Sequence, residues 1–212
     1  GLLNVLEERD IQVRGYKIRL PLDLVLFASA NPEDYTNRGR LITPLKDRFG
    51  AQIRTHYPLD VETEMAIVEQ EARPVSGEGL DVVVPPFMAE VVATFSQLAR
   101  QSSHINQRSG VSVRLTVANA ETLVANAARR ALRAGETEVV PRVTDLEALV
   151  ASTSGKVELD TLDDDGGEVL DRLLRQAVLT VFRDRLDLGR LREVIDAFDD
   201  GRVVHAGEDV AA

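Results

Sequence analysis

Leu24-Val25-Leu26-Phe27-Ala28-Ser29-Ala30-Asn31-Pro32-Glu33-Asp34 and, a short way on, Thr43-Pro44-Leu45-Lys46-Asp47-Arg48-Phe49-Gly50 are the segments on which the fold turns. The first is an apolar run from Pro21 to Ala30 without polar alternation, the pattern of a parallel strand buried on both faces. It ends in an amide, Asn31. The second puts an arginine, Arg48, at a helix-to-turn element. An amide at a strand tip and an arginine nearby suit a site that handles a phosphate and its attacking water.

Both segments resemble those of the AAA+ ATPases, in particular the group of the magnesium chelatase ATPase subunit and its MoxR-type relatives. The resemblance is close over roughly the first 60 residues and looser over 61–150. It implies that Asn31 is sensor 1, orienting the attacking water, and that Arg48 is the arginine finger. Arg38 and Arg40, in the loop from Asn31 to Arg40, are rival candidates for the arginine that faces a neighbouring subunit.

The phosphate-binding half of such an enzyme is not in this sequence. There is no Gly-x-x-x-x-Gly-Lys-Ser/Thr, the loop whose amides cradle phosphate, and no apolar strand ending in Asp-Glu. Gly155-Lys156 is followed by Val157, which has no hydroxyl for magnesium. Leu2, Leu3, Val5 and Leu6 already follow a helical period directly after Gly1, so the chain is expected to be a fragment that starts after the missing half. ATP and Mg2+ are therefore implied for the intact protein, with neither expected on this chain alone, which is expected to be inactive by itself.

Upstream of Asn31, Ile11, Val13, Ile18 and Leu20 can share one face of a hairpin, and Gln12, Arg14, Lys17 and Arg19 the other, around Arg14-Gly15. The resemblance implies a hairpin before sensor 1 that points into the channel of a ring. Gln52 to Tyr57 reads as a last short strand. Pro58-Leu59-Asp60 then turns the chain into a helix, with Asp60 as its cap.

Beyond that point the pattern is helical. Phe87, Val91, Phe95 and Leu98 form one apolar face, and Ala120, Leu123, Val124, Ala127, Ala128 and Ala131 another. Between them, Ser109-Gly110-Val111-Ser112-Val113-Arg114 puts an arginine at a helix start, where the helix dipole disfavours a cation unless an anion faces it. Its place is similar to that of sensor 2 in the AAA+ lid, which implies that Arg114 reaches the γ-phosphate. Arg108 is the second choice. Thr144 and Glu147 have the spacing of a capping box.

The expected fold class is thus mainly α: a C-terminal remnant of an AAA+ α/β domain, with a hairpin and short parallel strands, followed by a helical lid bundle and extra C-terminal helices. The α/β remnant spans 1–58, the lid 59–152, an acidic linker 153–167 and a helical extension 168–200, with a tail over 201–212. Val169, Leu170, Leu173, Leu174, Ala177, Val178, Val181 and Phe182 give the extension a wide apolar face, to be buried against the lid or on another protein.

Composition narrows the function classes. Twenty-five Lys and Arg against 35 Asp and Glu give a formal charge of -10. Residues 1–60 are near balance, nine against eight, and the remainder is acidic, 16 against 27. This weighs against broad nucleic-acid or anionic-membrane binding. The chain has no cysteine, and no apolar run approaches the length of a membrane span, so a cytoplasmic protein is expected. His56, His104 and His205 are scattered and form no ligand set. An arginine finger acting in trans implies self-association into a ring, with an unidentified client or metal-binding-domain protein. The other readings are a non-catalytic helical interaction or oligomerisation module, and a nucleic-acid motor fragment using Arg14, Lys17 and Arg19.

Overall fold

The computed structural model describes residues 10–19, 25–29, 49–75, 77, 79–106, 110–158, 166–186, 189 and 192–200. The chain divides into two compact units at His56–Tyr57, and each is described by itself. The described chain is mainly helical, with a few short strands.

In the first unit, β1 (Asp10–Val13) pairs antiparallel with β2 (Tyr16–Arg19). The two-residue connection has left-handed backbone at both positions, Arg14 at φ 50° and Gly15 at φ 87°, as the tight hairpin turn that matches strand twist requires. Ile11 lies opposite Ile18 and Gln12 opposite Lys17, so the expected alternation of faces is realised, with Val13 and Tyr16 added as an opposed pair.

Among the described residues, the other strands expected in this unit are not seen. Residues 25–29 form no strand, and Val25 and Phe27 are 79% and 88% exposed. Residues 52–57 form none either, and Ile53 is 90% exposed. A parallel strand exists only as a member of a ladder, and among the described residues nothing pairs with these segments. Asn31, Arg38, Arg40 and Arg48 lie outside the described residues, as do the expected helix over 2–9 and the tail.

The second unit opens with α1 (Val61–Glu71), capped by Asp60, whose Oδ1 accepts from the Thr63 amide at 2.7 Å. Bonds from the Thr63 side chain and amide hold the Asp60 carboxyl below its usual pKa. In α1 the one buried residue is a glutamate, Glu64. Helix α2 (Pro86–Gln101) starts on a proline, which has no amide hydrogen to leave unsatisfied there. It buries Met88, Val91, Val92, Phe95 and Ala99. Its inward face is therefore turned slightly from the expected one, so that Met88 packs inside and Phe87 stays 39% exposed.

Helix α3 (Val113–Ala134) buries Leu123, Val124, Ala127, Ala128 and Ala131, the stripe read in the sequence, and ends on Gly135 in the left-handed conformation at φ 72°. Two short strands, β3 (Asp81–Val82) and β4 (Glu138–Val139), pair in parallel and close a small cluster of Val139, Ala127, Ala128 and Ala131. A 3-10 turn, Val143–Glu147, leads into α4 (Ala148–Ser154). The capping box expected at Thr144 and Glu147 gives way to Asp145, whose carboxylate accepts from the Arg142 amide at 2.9 Å.

Helix α4 runs beyond Ser152, with Thr153 fully buried, and Val157 joins the core. The chain is thus packed over the start of the stretch expected to be linker. Helix α5 (Gly166–Arg185) lays Val169, Leu170, Leu173, Leu174, Ala177 and Val181 into the same core as α2 and α4, while Phe182 remains 40% exposed at the edge. An ion pair from Arg185 to Glu90 fastens it to α2. A short helix, α6 (Arg192–Asp199), follows.

Phe95 is wholly buried at the centre of this core. Replacing it with alanine removes that contact and leaves a cavity, so Phe95→Ala is expected to cost about 3–5 kcal/mol in denaturant unfolding. A loss under about 1 kcal/mol would mean that α2 does not pack as described.

Candidate functional site

The most constrained cluster is built on the carboxylate of Glu64, which is completely removed from solvent. A buried carboxylate persists only if its charge and lone pairs are met. Arg100 meets it as a fork: Nη1 donates to Oε2 at 2.6 Å and Nη2 to Oε1 at 2.5 Å. Thr116 Oγ1 donates to Oε1 at 2.5 Å. The remaining guanidinium edge, Nε, donates to the carbonyl of Val111 at 2.8 Å. The ring of Tyr57 covers the guanidinium, 5.0 Å from its centroid. One ion pair therefore joins α1, α2, the start of α3 and the loop before α3.

That loop is tight. Gly110 has φ 67°, and a Cβ built on it would lie 2.5 Å from the Tyr57 hydroxyl, so backbone conformation and space both call for glycine. Ser112 caps α3, its hydroxyl accepting from the Arg114 amide at 3.1 Å. Arg114 stands in the first turn of α3 and is exposed. Among the described residues its guanidinium has no ion-pair or hydrogen-bond partner, and the first turn carries no acidic side chain. It lines a depression of about 230 Å³ with Gly110, Val111, Ser112, Leu115, Lys156 and Val157. Two cations and the positive end of a helix thus border one cleft, an arrangement suited to an anion.

Of the residues expected to act, Arg114 is placed at a helix N-terminus as read. Asn31, Arg48 and the alternative Arg108 lie outside the described residues. Lys156 carried no signal toward this cleft, because only the packing of Val157 into the core brings it there. Glu64 gave none either, as one acid among several on a helix. Among the described residues no cluster of acidic or histidine side chains can hold a metal ion.

A second polar network fixes the far end of α3. Asp145, 2% exposed, takes Arg130 Nη2 at 3.0 Å and Asn126 Nδ2 at 3.1 Å, and Arg130 also reaches the Val140 carbonyl at 2.7 Å. Midway along, Asn119 bonds Thr153 at 3.1 Å and Ser152. Helix α3 is thereby held along its length.

No protein-family model matches the chain, and no solved structure matches it. Over 61 residues, 29% of its length, it is 38% identical to the magnesium-chelatase 38 kDa subunit of Cereibacter sphaeroides. Part of the chain is similar to a magnesium-chelatase subunit. The match spans 17% of that subunit's length. Among the described residues no helix is long and apolar enough to cross a membrane.

Removing one partner of a buried ion pair strands the other charge. Arg100→Met is therefore expected to destabilise the protein by about 3–5 kcal/mol, and the double variant Arg100→Met with Glu64→Gln by less, read from denaturant unfolding. Equal losses in the single and double variants would show that the pair is not what the cluster rests on.

Proposed function

We propose that this chain is the sensor and lid portion of a magnesium-chelatase-like AAA+ ATPase, contributing to ATP hydrolysis at an interface between subunits. The observation that carries the reading is Arg114: an exposed arginine, without a side-chain partner among the described residues, held at the positive end of α3, where a cation is disfavoured by about 0.3–1 kcal/mol unless an anion faces it. The terminal phosphate of a nucleotide is an anion that this placement fits. The partial similarity to the magnesium-chelatase subunit supports the same reading.

In this proposal Arg114 contacts the γ-phosphate from its own subunit, with Lys156 beside it. Asn31 orients the attacking water. Arg48 enters a neighbour's site and stabilises transition-state charge, so that the working enzyme is a ring or similar oligomer. ATP supplies the phosphoryl group and Mg2+ neutralises its charge when bound. The described residues fit the phosphate, whereas the groups for the metal would come from elsewhere in the intact protein. Hydrolysis would drive metal insertion, as the similarity to a chelatase subunit suggests, or remodelling of a client protein.

In the intact protein, Arg48→Ala is expected to abolish turnover, a loss of roughly 10³ to 10⁵ in rate, while ATP still binds. Arg114→Ala is expected to weaken ATP binding and turnover together. Steady-state hydrolysis with a nucleotide-binding titration decides it: retained turnover in Arg48→Ala sinks the finger, and unchanged ATP binding and turnover in Arg114→Ala sinks the sensor.

A further inference from the structure

Arg114 is bracketed in the chain by two residues that bond the same buried ion pair. On one side, the Val111 carbonyl accepts from Arg100 Nε at 2.8 Å. On the other, the Thr116 hydroxyl donates to Glu64 Oε1 at 2.5 Å. Both bonds are shielded from water, with Glu64 and Thr116 fully buried and Val111 1% exposed. The first turn of α3, which carries Arg114, is therefore tied on both sides to one rigid fork.

The fork is in turn tied to the segment that opens this unit. Glu64 lies one turn into α1, which begins directly after Pro58-Leu59-Asp60. Tyr57, the first residue of the unit, lays its ring on Arg100 and brings its hydroxyl against Gly110. A displacement of 57–64 relative to α2 cannot leave the loop 110–112 and the Thr116 bond where they are.

We infer that Glu64, Arg100 and Thr116 are positioning residues for Arg114, and that Tyr57 links the start of the helical unit to the setting of that arginine against an anionic ligand. The inference rests on Arg114 being the residue that meets the terminal phosphate. It goes beyond that reading by naming what sets the arginine's position and where the setting can be changed. None of the four lines the cleft that Arg114 borders. Their effect passes through the first turn of α3.

Thr116→Val tests this with the least disturbance, because the isopropyl group keeps the shape while Glu64 retains both bonds from Arg100. In the intact protein the readout is the ratio of ADP to ATP dissociation constants, which a general loss of stability does not move. Thr116→Val is expected to lower the preference for ATP about tenfold, as a misplaced binding group does, beside the loss of stability that follows from removing a donor to a buried carboxylate. Thr116→Ser, which keeps the hydroxyl, is expected to restore it. In an Arg114→Ala background, Thr116→Val is expected to add nothing.

Should Thr116→Val not fold, Arg100→Lys, which keeps a cation beside Glu64 and loses the bond to Val111, takes its place with the same expectations. Normal discrimination in the substituted protein beside an impaired Arg114→Ala overturns the inference and leaves the sensor assignment standing. So does an equal loss with and without Arg114. Normal discrimination in Arg114→Ala itself overturns the assignment and the inference with it.

Discussion

A carboxylate with no exposure to solvent, Glu64, is the constraint on which the helical unit depends. Desolvating such a charge costs several kcal/mol, an amount recovered only when a cation and further donors are held in good geometry. Arg100 supplies a planar fork and Thr116 a hydroxyl, from two different helices. Helices α1, α2 and α3 therefore cannot slide independently without cost: any shift that opens one of these bonds leaves a buried polar group short of a partner. Apolar packing of α2 against α5 provides most of the core, but it is non-directional, and the ion pair is what sets register.

Register matters here because of what α3 presents. The bonds from Arg100 and Thr116 flank the first turn, and Gly110 admits the Tyr57 hydroxyl where any side chain would collide. Farther along, Asp145 and Asn119 fix the remaining turns of the helix to the 3-10 turn and to α4. The result is an exposed cation, Arg114, on a helix end with little freedom. The proposed function needs such a group, since a residue that senses phosphate must meet it at hydrogen-bond distance without reorganising at each turnover.

Parts of both units were legible in the sequence because their signals are periodic or local. The alanine stripe of α3 repeats every three to four residues, Asp60 stands at a cap position, and Ile11 to Arg19 alternates strictly around a glycine turn. What was not legible depends on contacts between distant residues. Nothing marks Glu64 apart from Glu62 or Glu69 until α2 and α3 close on it. Asp145 was hidden by a competing cap at Thr144, and the strands β3 and β4 are two residues each, too short to carry a period. Of the apolar run at 21–30, the described residues 25–29 form no strand for a related reason: composition gives the preference for a strand, but a ladder needs a neighbour, and none is present among the described residues.

The central claim is that the Glu64 clamp holds Arg114 toward the terminal phosphate of a nucleotide. A crystal structure of the intact protein with a non-hydrolysable ATP analogue measures this directly. The account predicts an Arg114 nitrogen within about 2.7–3.2 Å of a γ-phosphate oxygen, with the Arg100–Val111 and Thr116–Glu64 bonds intact. An Arg114 turned to solvent or paired with a carboxylate while the nucleotide is bound would contradict it.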